Sequence, residues 1–235
     1  MNNSNIEETI IYEDSEILVC HKPAGLAVQN ARCGVMDMES ALKNYLAPGC
    51  PGKMPYLGVV HRLDQPVEGL LVFAKTPGAA KKLSSQISSG KVCKQYLAVV
   101  SGRPVQRAGV LEDYLKKDGR TNTSQVVQEN TPGAKRARLS YQILQEIPDE
   151  RFQSRRRNLA HICLETGRHH QIRVQMAHAG MPLIGDRKYN LEENVNLPLG
   201  LCSSALAFLH PGTGEKMKFD VSPNGQAFEG FDIDQ

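Results

Sequence analysis

Short runs of β-branched, aromatic and other apolar residues recur along most of this chain, and turns rich in glycine, proline or polar residues separate them. Runs of this length and composition are typical of β-strands. The first two runs lie in residues 9–28 and are broken at Asp14-Ser15, so they predict a hairpin. We predict further strands at residues 70–74, 96–100, 109–115, 137–147, 158–165, 204–209 and 216–221.

Helical patterns are fewer than strand patterns. Apolar residues at helical spacing predict helices over residues 37–46, 77–88 and 169–179. The second of these begins with Pro77 in its first turn, and the third ends at Gly180. Strands and helices do not alternate regularly. We therefore predict an α+β fold with a mixed, mainly antiparallel sheet and flanking helices, and not a doubly wound fold.

Length and composition favour one globular unit. A chain of 235 residues with 40% apolar residues can bury a sizeable core, and we expect a single domain over residues 1–235. No run of about 18 apolar residues is present, and the amino terminus lacks the pattern of a signal peptide, so we expect a cytoplasmic protein without a membrane span.

Cysteines are scattered along the chain without any CxxC pair, which argues against zinc-ribbon and thioredoxin-like classes. A reducing compartment explains such a distribution, so we expect free thiols. The six positions are Cys20, Cys33, Cys50, Cys93, Cys163 and Cys202.

Positive charge is concentrated in the middle of the chain. The net charge of the whole chain is only +3, but residues 51–190 carry 23 Lys and Arg against 11 Asp and Glu. Such a concentration favours a polyphosphate partner, because each neutralised phosphate releases counterions. Solvated surface charge is the other interpretation. We expect basic loops at residues 116–120 and 151–157.

Three segments carry residue types that are suited to chemistry. The first, His61-Arg-Leu-Asp64 followed by Gln-Pro-Val-Glu-Gly69, lies in a turn-rich loop just before an apolar strand. Loops at the edge of a rigid sheet often present reactive groups. A guanidinium at Arg62 favours an ionised Asp64, which can act as nucleophile or base. A surface ion pair that fixes the loop is the alternative interpretation.

The second segment, Lys94-Gln-Tyr96-Leu-Ala, opens a strand. The ring of Tyr96 offers a face for stacking, and its phenol oxygen can exchange a proton. The alternative is an ordinary core tyrosine on a half-buried strand.

The third segment runs from Thr166-Gly167 into the predicted helix and contains Arg168, the adjacent His169 and His170, and Arg173. Ile172 and Met176 give that helix a buried stripe, and Arg173 lies about 100° away from it, at the edge of the core. The histidines lack metal-site spacing, so we expect no metal, and charge on the first helical turn suits a phosphate better.

Signatures of nucleotide cofactors and of serine nucleophiles are missing from the sequence. There is no GxxxxGK[ST], no GxGxxG after a strand and no GxSxG. We therefore expect chemistry that needs no cofactor.

Taken in order, these segments resemble the RluA-type family of RNA pseudouridine synthases. That family carries an HRLD box, then K-x-Y-x-A, then G-R-x-H-Q-I-R and a G-x-P-[IL]-x-G-D-x-x-Y stretch. This chain has His61-Arg-Leu-Asp64, Gly69-Leu-Leu-Val-Phe-Ala-Lys75, Lys94-Gln-Tyr96-Leu-Ala, Gly167-Arg-His-His-Gln-Ile-Arg173 and Gly180-Met-Pro-Leu-Ile-Gly-Asp186-Arg-Lys-Tyr189. The likeness extends over residues 8–222.

The resemblance implies a pseudouridine synthase fold with a central RNA-binding cleft, and an isomerase that converts uridine to pseudouridine in structured RNA, either ribosomal RNA or tRNA. It implies Asp64, Tyr96 and Arg173 as catalytic residues, with Arg173 pairing with Asp64. We expect a monomer without cofactors. The residues expected to contact RNA are His61, Arg62, Lys22, Lys75, Lys94, Arg168, His170, Gln171, Arg136, Arg138, Arg155, Arg156 and Arg157.

Two departures from the family pattern stand out. Val67-Glu68 replaces a pair of small hydroxylic residues, and it places a second carboxylate near the loop. The chain also begins almost at the first family strand, so we expect no separate amino-terminal RNA-binding domain. Two other functions stay open: an inactive RNA-binding protein with the same fold, and a glycosidase that uses Asp64 and Glu68 as a carboxylate pair.

Overall fold

The computed structural model describes residues 6–30, 34–150, 155–191 and 197–233. Its strands and helices, in chain order, are β1 (Ile10–Glu13), β2 (Ile17–Lys22), α1 (Met38–Leu46), β3 (Gly58–Val59), β4 (Glu68–Ala74), α2 (Pro77–Ser88), β5 (Cys93–Ser101), β6 (Ala108–Asp118), β7 (Thr123–Val127), β8 (Lys135–Pro148), β9 (Arg156–Leu164), α3 (Gln171–His178), β10 (Leu201–Leu209) and β11 (Lys216–Asp220). Short 3₁₀ turns lie at Ala47–Gly49 and Gln226–Phe228.

The chain divides into two compact units. Unit 1 comprises Met1–Cys93 and Ser203–Val221, and unit 2 comprises Lys94–Cys202 and Ser222–Gln235. In each unit the strands named above form antiparallel pairs, and helices are few. This composition agrees with the α+β class predicted from the sequence.

Unit 1 contains strands in the order β1-β2-β4-β10, with β3 also paired to β4 and β11 paired to β10. All seven residues of β4 are buried, which is why the part of the strand after Glu68 is apolar without alternation. The helix α2 packs Leu83 into the same core as Ile17, Val72 and Phe208. Thr76 caps this helix by accepting a hydrogen bond from the amide of Ala79 at 3.1 Å.

The predicted β1–β2 hairpin is confirmed, and Asp14 fixes its turn. One carboxylate oxygen of Asp14 accepts hydrogen bonds from the amides of Glu16 and Ile17, each at 2.8 Å. The other oxygen accepts from the hydroxyl of Tyr12 at 2.9 Å and lies 2.8 Å from Nε2 of His210. Partial burial raises the pKa of Asp14, but these hydrogen bonds outweigh it, and the pKa lies below its ordinary value.

Unit 2 contains strands in the order β5-β9-β8-β6-β7, all antiparallel to their neighbours. Its sheet extends further than the sequence predicted. Residues 116–118, expected to be loop, continue β6 and pair with β7, a strand that the sequence analysis missed. Arg156 and Arg157, also expected in a loop, begin β9, whereas residues 151–154 lie outside the described residues. The end of β6 and its partner β7 are polar, so they lack the alternation of apolar residues from which strands were predicted.

The helix α3 is shorter than predicted at its amino end. His170 has φ +54°, a left-handed conformation, so helical geometry begins only at Gln171. The buried stripe is confirmed, because Ile172 and Met176 are buried, and Arg173 is buried with them. Among the described residues, no helix is long and apolar enough to cross a membrane.

Gly69 is the position in unit 1 where a side chain would be least tolerated. Its φ is +117°, and a Cβ there would lie 2.4 Å from the carbonyl oxygen and 2.5 Å from the amide nitrogen of Ser203. We expect Gly69→Ala to lower the free energy of unfolding by about 3 kcal/mol, because backbone strain and overlap with backbone atoms act together. Gly78, exposed in α2 with no such contact, is the matched control, and Gly78→Ala should change stability by less than about 1 kcal/mol. Urea titration of both variants tests this, and equal stability of the two would contradict it.

Candidate active site

The loop that carries Asp64 is irregular and leads directly into β4. Its middle is closed by a turn in which the amide of Val67 donates to the carbonyl of Asp64 at 3.0 Å. Leu63 is buried, Asp64 is half-buried and Arg62 is exposed. The loop therefore holds its apolar residue inward and leaves the arginine accessible to a ligand, as its predicted role requires.

His61 anchors the start of this loop to the sheet. Its Nε2 accepts a hydrogen bond from the amide of Val72 at 3.1 Å. That nitrogen must be unprotonated to accept, so the ring is neutral in this arrangement. His61 was predicted to contact RNA, but the structure assigns this ring nitrogen to the protein backbone.

Lys22, a predicted phosphate contact, has its side chain inside the protein. Its side chain is fully buried at 0% exposure. Its ammonium group donates to the carbonyl oxygens of Pro23 at 2.9 Å, Leu26 at 2.8 Å and Gln65 at 3.1 Å. An ammonium has three N–H donors, and this arrangement uses all of them. Lys22 therefore ties the turn after β2 to the residue that follows Asp64, and its charge is turned away from solvent.

Burial lowers the pKa of Lys22 to about 8, and the nearby negative charges of Asp64 and Glu68 oppose this fall. The group is therefore mostly protonated at neutral pH. A second link reinforces the first, because the amide of Gly25 donates to the carbonyl of Gln65 at 2.9 Å and the Gln65 side chain donates back to the carbonyl of Gly25 at 3.0 Å. Together these bonds join the two loops at a fixed separation.

Glu68, the carboxylate that departs from the family pattern, is buried as the first residue of β4. It lies 3.9 Å from Nε2 of His21. Burial lowers the pKa of His21, and the charge of Glu68 opposes that shift. The second carboxylate that was expected near the loop therefore lies buried at the start of β4.

Lys75, another predicted RNA contact, is held by the β1–β2 hairpin. Its ammonium pairs with the carboxylate of Glu13 and donates to the carbonyl of Asp14, each at 2.5 Å. These contacts occupy it within unit 1. A phosphate would have to compete with both of them.

In unit 2, Tyr96 is buried in the middle of β5, opposite Ile162 of β9. Two residues earlier, Lys94 lies where its ammonium would be 3.1 Å from a Cβ added at Gly167. Burial lowers the pKa of Lys94. The absence of a side chain at Gly167 leaves room for this ammonium beside the third motif.

Arg173 is buried in α3, and its guanidinium forms a two-pronged ion pair. Its Nε and one terminal nitrogen each donate to a carboxylate oxygen of Asp186 at 2.8 Å. The guanidinium also lies over the ring of Tyr189, 5.3 Å from its centroid. Planar, bidentate pairing fixes the orientation of an arginine. The predicted pairing of Arg173 with Asp64 stays a prediction.

His170 and Gln171 were also predicted to contact RNA, and the structure places both in buried positions. Nδ1 of His170 lies 2.8 Å from the hydroxyl of Tyr189. The Gln171 side chain accepts from the amide of Arg168 and donates to the carbonyl of Arg138, at 3.0 and 3.1 Å. These bonds satisfy the backbone where the chain turns into α3. Arg168 itself is exposed, as an RNA contact must be.

The remaining predicted basic contacts lie on β8 and β9 or beside them. Arg136 and Arg138 pair with Glu112 across the sheet, at 2.8 and 3.1 Å, and Arg138 also pairs with Glu165. These exposed pairs are weak and can exchange for a phosphate.

Arg155 and Arg156 are exposed, and Arg156 lies 3.5 Å from Glu146. Arg157 is half-buried and donates to the carbonyls of Ala227 and Glu229 near the carboxyl end, so its prediction as a phosphate contact is not supported by its surroundings.

Two residues of unit 2 that organise this region, Asp186 and Tyr189, were not predicted as site residues from the sequence. Asp186 orients Arg173, and Tyr189 joins His170 to the amide of Ser124, which donates to the Tyr189 hydroxyl at 2.7 Å. Both belong to the Gly-Asp-x-x-Tyr stretch that the sequence analysis quoted, so their position in that motif was the available signal. Among the described residues, no three His, Cys, Asp or Glu side chains are grouped to hold a metal ion.

Comparison with known proteins decides the family. A family model described as RNA pseudouridylate synthase matches residues 16–178, which include parts of both units. The chain belongs to the RluA-type RNA pseudouridine synthases. It is thus an isomerase that converts uridine to pseudouridine in RNA, as the sequence predicted.

Similar proteins cover most of the chain. The RNA pseudouridine synthase YlyB of Bacillus subtilis, itself uncharacterized, is 34% identical over 218 residues, which cover 90% of this chain and 68% of the relative. Ribosomal large subunit pseudouridine synthase D of Pseudomonas aeruginosa is 35% identical over 232 residues, covering 92% and 68%. The structure of human RNA pseudouridylate synthase domain containing 4 matches with a TM-score of 0.75 at 21% identity, covering 94% and 91%. The predicted fold is confirmed.

Removing the buried ammonium of Lys22 should loosen the loop that carries Asp64. We expect Lys22→Met to lower the free energy of unfolding by at least about 2 kcal/mol, because three carbonyl groups lose the ammonium donor that joins them. Lys53→Met, at an exposed lysine of the same unit, is the matched control and should change stability by less than about 0.5 kcal/mol. Thermal unfolding of both proteins tests this. If the two variants were equally stable, the anchoring role of Lys22 would be refuted.

Proposed function

We propose that this RNA pseudouridine synthase uses Asp64 as its catalytic carboxylate on a uridine of structured RNA. The observation that carries the proposal is the double anchoring of the Asp64 loop, by the ammonium of Lys22 at Gln65 and by His61 on β4. A reacting group must be held in one geometry by its supporting residues, and this loop is built in that way. Family membership supplies the reaction.

The reaction breaks the N1–C1′ bond and joins C1′ to C5 of the same uracil. The C5 proton is lost and N1 gains a proton, so the product has the composition of the substrate. Asp64 acts either by attacking C1′ or by removing the proton at C2′. Both routes need an ionised carboxylate that is held still. We assign Tyr96 to stacking on the detached base and Arg173 to orienting Asp64.

A base inside a stacked helix is inaccessible, so the nucleotide must be flipped out, which costs a few kcal/mol. Exposed Arg62, two residues before Asp64, is suited to fill the space that the base leaves. The ion pair between Arg173 and Asp186 supports the positioning role of Arg173, because the guanidinium plane is set before RNA binds.

Large-subunit ribosomal RNA is the substrate that we favour. The support comes from relatives that are named ribosomal large subunit pseudouridine synthase D, such as those of Pseudomonas aeruginosa and Zymomonas mobilis. Transfer RNA is the alternative substrate. Mapping pseudouridines in both RNAs from cells with and without the gene distinguishes them, because only the substrate loses a modified position.

The structure bears on the two rival functions through Glu68. A glycosidase would need this carboxylate beside the scissile bond, but Glu68 is buried in β4 next to His21. The inactive RNA-binding alternative was motivated by the same residue. Because Glu68 is buried in β4, this difference from the family pattern lies within the sheet and gives little reason to expect loss of activity.

Replacing the carboxylate of Asp64 by an amide tests the proposal. We expect Asp64→Asn to reduce tritium release from RNA labelled at C5 of uridine by at least about 10⁴-fold, because an amide cannot act as nucleophile or base. RNA affinity should stay within a few-fold, since the shape of the side chain is kept.

Asp220→Asn is the matched control, since Asp220 is exposed on β11 and pairs only with exposed Lys218 among the described residues. This variant should release tritium at the rate of the unsubstituted protein. Turnover by Asp64→Asn would exclude Asp64 as the catalytic carboxylate, and free uracil among the products would favour the glycosidase.

A further inference from the structure

A cavity of about 360 Å³ lies within unit 2, and its described lining includes none of the residues assigned to catalysis. It is formed by the β6–β7 hairpin, the beginning of β8 and the segment before α3. The described residues that line it are Leu115, Lys116, Lys117, Ser124, Gly133, Lys135, Gly167, Arg168 and His169. Its volume falls in the range of pockets that hold small ligands or part of a larger one.

The lining is strongly basic. None of the described lining residues is acidic, whereas Lys116, Lys117, Lys135 and Arg168 carry positive charge. The three lysines form no ion pair with any described residue, and all four cationic residues are exposed. Two acidic groups of the neighbouring strands, Glu112 and Glu165, are paired with Arg136 and Arg138, and Asp118 accepts a hydrogen bond from the amide of Arg120.

Strand register places two of these lysines on one side of the sheet. Lys135 is paired with Leu115 across β8 and β6, and Lys117 is two residues along β6 from Leu115. Directly paired residues and residues two apart share a face of a sheet. Ser124, which is paired with Lys117, therefore lies on the same face. Lys117 and Lys135 therefore leave the sheet on the same face and both line the cavity.

The floor beneath these cations is fixed by hydrogen bonds. The hydroxyl oxygen of Ser124 lies 2.8 Å from the carbonyl oxygen of His169 and 2.9 Å from its Nδ1, within hydrogen-bond distance of both. The amide of Ser124 donates to Tyr189, and the ring of His169 stacks on His170 at 3.8 Å between centroids. The site is therefore partly preorganised, because the positions of Ser124 and His169 are fixed by hydrogen bonds and ring stacking beside the exposed cations.

From this geometry we infer that the cavity is a binding site for a phosphodiester group of the RNA backbone, held by Lys117, Lys135 and Arg168. Unpaired cations over a preformed concavity without acidic groups match the chemistry of a phosphate. Such a contact positions the RNA and reads no sequence. The inference rests on the proposed function, because it takes the polyanion to be the RNA substrate. A free inorganic phosphate or mononucleotide has the same chemistry and is the competing source.

The test removes two charges from the cavity. The variant with Lys117→Gln and Lys135→Gln is compared with a variant carrying Lys81→Gln and Lys91→Gln, two exposed lysines of unit 1 without ion pairs among the described residues. Both lose the same net charge. Binding of protein-free large-subunit ribosomal RNA is measured between about 50 and 200 mM salt, a range over which phosphate contacts change the affinity strongly.

We expect the cavity variant to bind RNA roughly tenfold more weakly at low salt, and the slope of log affinity against log salt to fall by about two, one for each lost contact. The control pair should leave the slope unchanged. Lys117→Arg with Lys135→Arg keeps both charges and should retain the original slope. If the double glutamine variant fails to fold in thermal unfolding, Lys135→Gln alone should lower the slope by about one.

Three outcomes would overturn the inference: an unchanged slope in the cavity variant, an equal fall in the control pair, or loss of inorganic phosphate binding in calorimetry with RNA affinity unchanged. The last outcome would assign the cavity to a free anion. Tritium release by the unsubstituted protein is scored separately. Failure there refutes the proposed function but leaves the RNA affinities interpretable.

Discussion

One buried ammonium group decides how the Asp64 loop is held. Lys22 ends β2, and its three N–H donors reach two carbonyls of the following turn and one in the loop of Asp64. A buried charge without partners would be very unfavourable, so this arrangement leaves the two loops little freedom to move apart. The reciprocal bonds between Gly25 and Gln65 act in the same direction. The catalytic proposal depends on this rigidity more than on any single property of Asp64.

In unit 2 a buried charged group is likewise held in one position, here by the ion pair between Arg173 and Asp186. Asp186 takes two N–H groups of Arg173 inside the protein, and the ring of Tyr189 covers the guanidinium. Tyr189 in turn bonds to Ser124 on β7 and approaches His170. Holding Arg173 in one geometry therefore requires residues from the β6–β7 hairpin, from the turn before α3 and from the segment after α3. The cavity proposed as a phosphate site is built on the same floor, so its rigidity and that of Arg173 have a common origin.

Local signals in the sequence predicted much of the fold. Proline at the first position and a threonine cap give α2 the bounds that were expected, and Asp14 marks the hairpin turn. The strand β7 escaped prediction because its partner is the polar end of β6, where no apolar alternation exists. For the site, the motifs identified the loop of Asp64 but not which basic residues are buried. The sequence Lys22-Pro23 does not show whether the lysine ammonium contacts a phosphate or, as in this structure, three backbone carbonyls.

Burial therefore distinguishes two kinds of basic residue, which a count of charged residues in the sequence treats alike. Buried groups such as Lys22 and His170 shape the loops, and all three donors of the Lys22 ammonium are used within the protein. Exposed cations such as Arg62, Lys117 and Lys135 retain their hydration and can exchange it for phosphate oxygens. Electrostatic attraction to RNA then rests on fewer residues than the 23 Lys and Arg of residues 51–190 imply. Because each true contact contributes separately to the salt dependence, the slope of binding measures how many of these residues meet the RNA.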